Sequence, residues 1–204
     1  MAAKKNIPVE TNTEEKIKVA ARKVFMRNGF SATRTRDIAE EAGINLALLN
    51  YYFRSKKKLF DLVMQEKIQK LFGIIAPVLN DTATTLETKI ELIVSGYIDV
   101  LVENPDLPTF VLNELRKKNF EIIQKIPLDK LITQSSFIQQ LREKRADINP
   151  AHFLVNILGM TVFPFVAKPM LMMTGMVNEK SFNTLMNERK QLIPVWIKAI
   201  LKAK

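Results

Sequence analysis

The chain has 204 residues, 47% of them hydrophobic and 25% charged, which is enough apolar material to bury a core as one domain or two small ones. It carries a formal net charge of +10, no cysteine and one histidine, so disulfides, thiolate metal sites, cysteine nucleophiles and a histidine metal cluster are excluded. The leading MAAKKNIPVETNTEEK has lysines but no apolar run after them and does not read as a signal peptide. The most apolar stretch, FLVNILGMTVFPFVAKPMLMM, is interrupted by Asn156, Lys168 and two prolines, which argues against a membrane span. A cytoplasmic protein with no cofactor or metal is expected.

The charge is uneven. Residues 1–60 hold 8 Lys and 5 Arg against 6 acids, a net +7, and the remaining 144 hold 18 bases against 15 acids, a net +3. A basic head on a near-neutral body suggests nucleic-acid binding by the head. For Lys56, Lys57 and Lys58 alone, a solvated helix start explains the pattern equally well.

The spacing predicts an all-α chain. Thr11 and Glu14 stand at capping-box spacing, and Ile17, Ala20, Ala21, Val24 and Phe25 form an apolar stripe for a first helix that ends at Gly29. A second, short helix is expected after a Thr33 cap, with Ile38 and Ala39 inward, and Gly43 stops it. Asn45 caps a third in which Leu49 and Phe53 lie four apart, and Ser55 caps a long fourth that Gly73 and Pro77 close. Two short helices joined at a glycine that supplies a positive φ make a helix-turn-helix, with Ala47, Leu48, Asn50 and Tyr51 outward; an ordinary helical hairpin has the same spacing.

The segment FSATRTRDIAEEAGINLALLNYYFRSKKKLF resembles the DNA-binding domain of the tetracycline repressor (TetR) family of bacterial transcription regulators. The resemblance is carried by Thr33, Arg36-Asp37-Ile38-Ala39, Ala42-Gly43-Ile44, Leu49, Tyr52-Phe53, Ser55-Lys56 and Leu59-Phe60. It implies a DNA-binding domain over residues 10–65, followed by a helical effector-binding and dimerisation domain over residues 66–204. It further implies a homodimer on an operator of double-stranded DNA, with a recognition helix from each subunit in successive major grooves and release by a small effector. Residue by residue, Thr35 and Arg36 match positions that touch phosphate or a base. Leu46, Ala47 and Leu48 match the leading residues of the recognition helix, Asn50, Tyr51 and Tyr52 its middle, and Lys56 a phosphate contact. The family often has a polar or basic residue at 46, glycine at 47, threonine at 48 and tyrosine at 50. Base reading here would therefore lean on apolar contact with thymine methyls and on Asn50, whose amide can pair with adenine.

Beyond residue 70, ETKIELIVSGYIDVLVEN, NPDLPTFVLNELRKKNFEII and LITQSSFIQQLREKRADI each read as one helix. The segment from Pro150 is apolar nearly all round and is expected to kink or end at Pro164 and Pro169, and a final helix runs over about 179–201. The apolar coverage of these last two segments suits a homodimer interface or, alternatively, plain core burial. Candidate ligand-binding residues on the middle helices are Tyr97, Leu101, Phe110, Glu114, Phe137, Leu141, Phe153, Asn156, Ile157 and Met160, for a small apolar or amphiphilic effector. Glu114 would meet a cationic group or pair with Arg116, Lys117 or Arg142. No catalytic constellation stands out, so an enzyme is not expected; the alternative to a DNA-binding regulator is a helical small-molecule or acyl-chain binding module with no operator-specific role.

Overall fold

The computed structural model describes residues 9–116 and 128–203, and every element among them is an α-helix. They divide into two compact units, Met1–Glu66 and Lys67–Lys204.

The first unit holds α1 (Val9–Ala32), α2 (Thr35–Glu41), α3 (Leu46–Tyr52) and the start of α4 (Lys56–Asn80). α1 begins at Val9, ahead of Thr11, so Thr11 does not open the helix. Its stripe of Ile17, Ala20, Ala21, Val24 and Phe25 is buried, as are Ile38 and Ala39 of α2 and Leu49 of α3. Phe25, Phe30 and Phe60 bring their rings together, Phe60 lying 5.0 Å from Phe25 and 4.7 Å from Phe30 between centroids. Gly29 breaks α1 with φ 70°, and one further turn follows it. Thr33 is not the cap of α2. Its hydroxyl donates 2.6 Å back to the Gly29 carbonyl, because the broken end of α1 leaves acceptors that compete for it. Arg34 precedes α2 instead, and its backbone N–H donates to the Asp37 carboxylate at 2.9 Å.

The second unit takes the rest of α4, then α5 (Leu86–Glu103), α6 (Leu107–Arg116), α7 (Leu128–Thr133), α8 (Ser136–Lys144), α9 (Pro150–Val166), α10 (Lys168–Met173) and α11 (Glu179–Lys202). α5 is the central helix: its buried Ile90, Val94 and Ile98 pack in a layer shared with α8, α9 and α11. Ring pairs Phe137–Phe153 and Phe165–Phe182, at 6.2 and 5.5 Å, fill the space between α8 and α9 and between α9 and α11. Ile193, at 0% exposure, belongs to this core. The expected helix LITQSSFIQQLREKRADI is two helices, since Ser135 accepts from the Ile138 N–H and starts α8 afresh. The tail of the preceding segment, residues 117–123, lies outside the described residues.

Three prolines sit inside helices rather than ending them: Pro77 in α4, Pro164 in α9 and Pro194 in α11. At Pro164 the reason is visible. Proline has no N–H for the carbonyl four residues back, that of Met160. The Arg189 guanidinium reaches across from α11 and donates to that carbonyl at 2.8 Å, so the helix loses no partner there. The same guanidinium lies 5.3 Å from the centre of the Trp196 ring. Two further polar ties join distant segments. Lys89, fully buried, donates to Ser136 Oγ at 2.8 Å, and Ser136 in turn donates to the Asp81 carbonyl at 3.2 Å. Arg145, held by Asp147, donates to the carbonyls of Ile200, Leu201 and Ala203 and so caps the end of α11.

Candidate nucleic-acid interface and ligand cavity

In the first unit, α2 ends in a turn that follows from one residue type. Gly43 has φ 64°, in the left-handed region that side chains avoid. With that residue left-handed, the Gly43 N–H donates to Glu40 O and the Ile44 N–H to Ala39 O, both at 3.0 Å, which closes the orphan carbonyls of α2 in a Schellman arrangement. The next residue, Asn45, starts α3 at once, its side-chain oxygen accepting from the Leu48 N–H at 2.7 Å. Leu49 then fixes the rotation of α3 by pointing into the core with no exposure.

That rotation decides what α3 shows outward. Ala47, Leu48, Asn50 and Tyr51 are exposed, Tyr51 by 75%, and Leu46 and Tyr52 are half-buried at the edges. Tyr51 and Tyr52 meet edge to face at 5.3 Å, which restrains both rings. On α2, Arg36 is exposed and Thr35 half-buried. A two-turn helix presenting a methyl, an isobutyl group, an amide and a phenol has the donors, acceptors and apolar surface that base edges in a major groove require. Two exposed cations that the sequence reading passed over, Arg34 and Arg54, flank α2 and α3 along the chain. Their adjacency to helix ends was the available signal.

Lys56 also has a structural role. Its ammonium donates to the carbonyls of Phe30 and Thr33, both at 2.8 Å, and stands 4.4 Å from the centre of the Phe30 ring. It braces the start of α4 against the broken end of α1, which also explains how three lysines are tolerated at a helix start where the dipole disfavours cations. Two of its three donors are thereby occupied.

In the second unit, α4, α5, α6 and α9 surround a cavity of about 500 Å³, within the range of pockets for small organic ligands. Its lining side chains, among them Phe72, Tyr97, Leu101, Val111 and Val162, carry one polar atom between them, the Tyr97 hydroxyl. Burial raises that phenol to about 12, so it stays protonated and able to donate at neutral pH. The rim is apolar too: Leu112, Val155, Leu158 and Phe163 line the cavity and are exposed.

Of the ten residues proposed for a ligand site, Tyr97 and Leu101 line this cavity. Phe110, Phe137, Leu141, Phe153 and Ile157 are buried in helix packing and do not line it, Asn156 is exposed, and Met160 is half-buried with its carbonyl held by Arg189. The α9 residues missed were Val155, Leu158, Gly159, Val162, Phe163 and Val166, on the opposite face from Phe153 and Ile157. The side chain of Glu114 lies outside the described residues. No group of acids and histidines among the described residues is arranged to hold a metal ion, and no helix among them is long and apolar enough to cross a membrane.

Residues 17–63 match the sequence model of the family described as bacterial regulatory proteins, tetR family. The chain is 28% identical over 107 residues, 52% of its length and 55% of the relative's, to the fatty acid metabolism regulator protein of Bacillus subtilis (strain 168). It spans about half the length of the curated relatives it matches. Its fold is that of a tetR-family regulator from Mesorhizobium loti MAFF303099, with a TM-score of 0.60 at 19% identity, covering 95% of this chain and 98% of that one. It is also similar to the regulator FadR of Bacillus subtilis in complex with stearoyl-CoA, with a TM-score of 0.51 at 19% identity, covering 88% of this chain and 96% of that one.

Proposed function

We propose, from the premise that the chain belongs to the tetR family of bacterial regulatory proteins, that it is a DNA-binding transcriptional repressor that acts as a homodimer on an inverted-repeat operator and is released by a small apolar effector. The observation that carries this reading is the outward face of α3, set by the Gly43 turn, the Asn45 cap and the inward Leu49. Leu48 and Ala47 contact thymine methyls, Asn50 reads adenine, and Tyr51 borders them. Thr35 and Arg36 hold phosphate, and the third donor of Lys56 is left for the same purpose. The exposed Leu192, Val195 and Trp196 of α11 form part of the face through which two subunits pair.

The effector reading rests on the cavity. An all-carbon wall with one hydroxyl favours a ligand held by burial and dispersion and disfavours any that brings an unpaired polar group inside. A relative named for fatty acid metabolism and a structural neighbour bound to stearoyl-CoA make a straight acyl chain the class to try first, with its polar head left outside. Such a ligand releases the operator if it binds the DNA-free form more tightly; a tenfold release needs about 1.4 kcal/mol of differential affinity.

The test divides the contacts. Asn50→Ala and Leu48→Ala should relax sequence preference, each by about 1 to 3 kcal/mol per lost base contact, whereas Arg36→Ala should weaken binding to all duplexes with a shallower salt dependence. Equal effects of Asn50→Ala on preferred and scrambled duplexes would contradict the assignment of α3 as the reading helix.

A further inference from the structure

Tyr97 of α5 stands in the wall of the apolar cavity with a hydroxyl that has no hydrogen-bond partner among the described residues. None of the lining residues from α4, α6 and α9 has a polar side-chain atom, so helix packing around the cavity does not use it. Burial is the one cause of its raised pKa, with no bond contributing. A tyrosine hydroxyl in an apolar setting normally has a partner, and one that lacks it calls for an explanation. Phenylalanine would fill nearly the same volume without that penalty.

The cavity also says what kind of atom would bond this hydroxyl. No Lys or Arg lines the wall, so a carboxylate or phosphate brought inside would be buried without a counter-charge. A phenol kept protonated donates one hydrogen bond, and its partner is therefore a neutral acceptor: a ketone, hydroxyl, ether or ester oxygen. Room for the rest of the ligand is open at Gly159 of α9, which lines the cavity and where a built Cβ meets no heavy atom within 4 Å.

We infer that Tyr97 determines the specificity of this cavity: its hydroxyl donates to one neutral oxygen carried within the buried part of an otherwise hydrocarbon ligand, and the cavity selects such a ligand over a plain hydrocarbon chain. The inference rests on the apolar-effector reading above and narrows it. A chain of methylenes alone covers the hydroxyl and leaves it dry and unpaired, which opposes binding. An oxygen at the matching position removes that penalty and adds a bond. Selection by one hydroxyl set in hydrocarbon is selection by position, since an oxygen a few carbons away meets only carbon and itself lacks a partner.

The experiment uses the full chain and cis-parinaric acid, a fluorescent straight-chain fatty acid. The probe is displaced by octadecanoic acid and by keto-octadecanoic acids with the ketone at successive positions along the chain. One position, or two adjacent ones, should displace it roughly tenfold more tightly than octadecanoic acid, and the others no better than octadecanoic acid. Tyr97→Phe should abolish that preference and bind octadecanoic acid at least as tightly as before. It should also leave the thermal midpoint of the ligand-free protein unchanged, because no bond is lost there. Gly159→Leu, which places a side chain in the open part of the cavity and favours the helix, should weaken all of the acids. Equal affinities along the whole series, a preference that survives Tyr97→Phe, or a lowered midpoint for Tyr97→Phe overturns the inference and leaves the apolar-effector reading standing. Binding that Gly159→Leu does not change places the acids outside this cavity, and failure of parinaric acid and every acid to bind removes the acyl chain as the ligand; either result overturns that reading and this inference with it.

Discussion

Replacing Arg189 should expose how α9 survives Pro164. The guanidinium supplies the donor that proline lacks, at 2.8 Å from the Met160 carbonyl. A hydrogen bond from a charged donor contributes about 1.5 to 3 kcal/mol, and the contact with Trp196 adds about 0.5 to 1 kcal/mol. Against this stands the burial of the group, which lowers its pKa and leaves Nε without a partner. Arg189→Met keeps the aliphatic stem and recovers that burial cost, so the net loss should be roughly 1 to 2 kcal/mol. In a Pro164→Ala background the restored N–H satisfies Met160, and the same substitution should then cost less than about 0.5 kcal/mol. Urea unfolding at fixed protein concentration, followed by the fluorescence of Trp196, the sole tryptophan, reports on the second unit. Equal costs in both backgrounds, within about 0.3 kcal/mol, would refute the substitution of guanidinium for proline N–H.

Three further outcomes are expected. Lys56→Met should destabilise the first unit by about 2 kcal/mol through loss of the bonds to Phe30 and Thr33, seen as faster amide exchange over residues 17–63 without DNA present; unchanged exchange would return Lys56 to a pure phosphate contact. Gly43→Val should cost more than the 1 to 2 kcal/mol of an ordinary left-handed residue, roughly, and abolish operator binding, whereas Gly43→Asn should retain it; equal binding by both would remove the role of the turn. Burial lowers the pKa of Lys89 from 10.5, so between the lowered value and 10.5 the unfolded chain holds more protons and stability rises with pH. Lys89→Met should be neutral or stabilising at pH 7 and should flatten that rise; a matching pH profile in both proteins would show that Lys89 carries no penalty.

The parts of this fold that were legible in the sequence are those set by neighbours along the chain. Gly43, Asn45 and Ser55 act on backbone groups two to four residues away, and each does in the structure what its position implies. Thr33 was misplaced because its hydroxyl had a second local choice, the end of α1, and composition does not say which acceptor wins. That α9 runs on through Pro164 was not legible because the compensation comes from Arg189, 25 positions later on another helix. The cavity was half legible for a related reason. Periodicity separates the apolar face of α9 from a polar one, but α9 is apolar nearly all round, so the buried Phe153 and Ile157 and the cavity-facing Val155 and Leu158 have the same signature. Which face meets a neighbour and which meets a void depends on how α6 lies against it.

The central claim is that this chain reads DNA sequence as a dimer through α3. Selection from a pool of random duplexes with the full-length protein at physiological salt tests it most directly. The account predicts enrichment of an inverted repeat whose half-sites repeat in multiples of about 10 base pairs, bound with one recognition helix to each half-site and weakened as salt rises. A pool that stays random while binding to the protein through charge alone, or enrichment of a single unrepeated site, would contradict it.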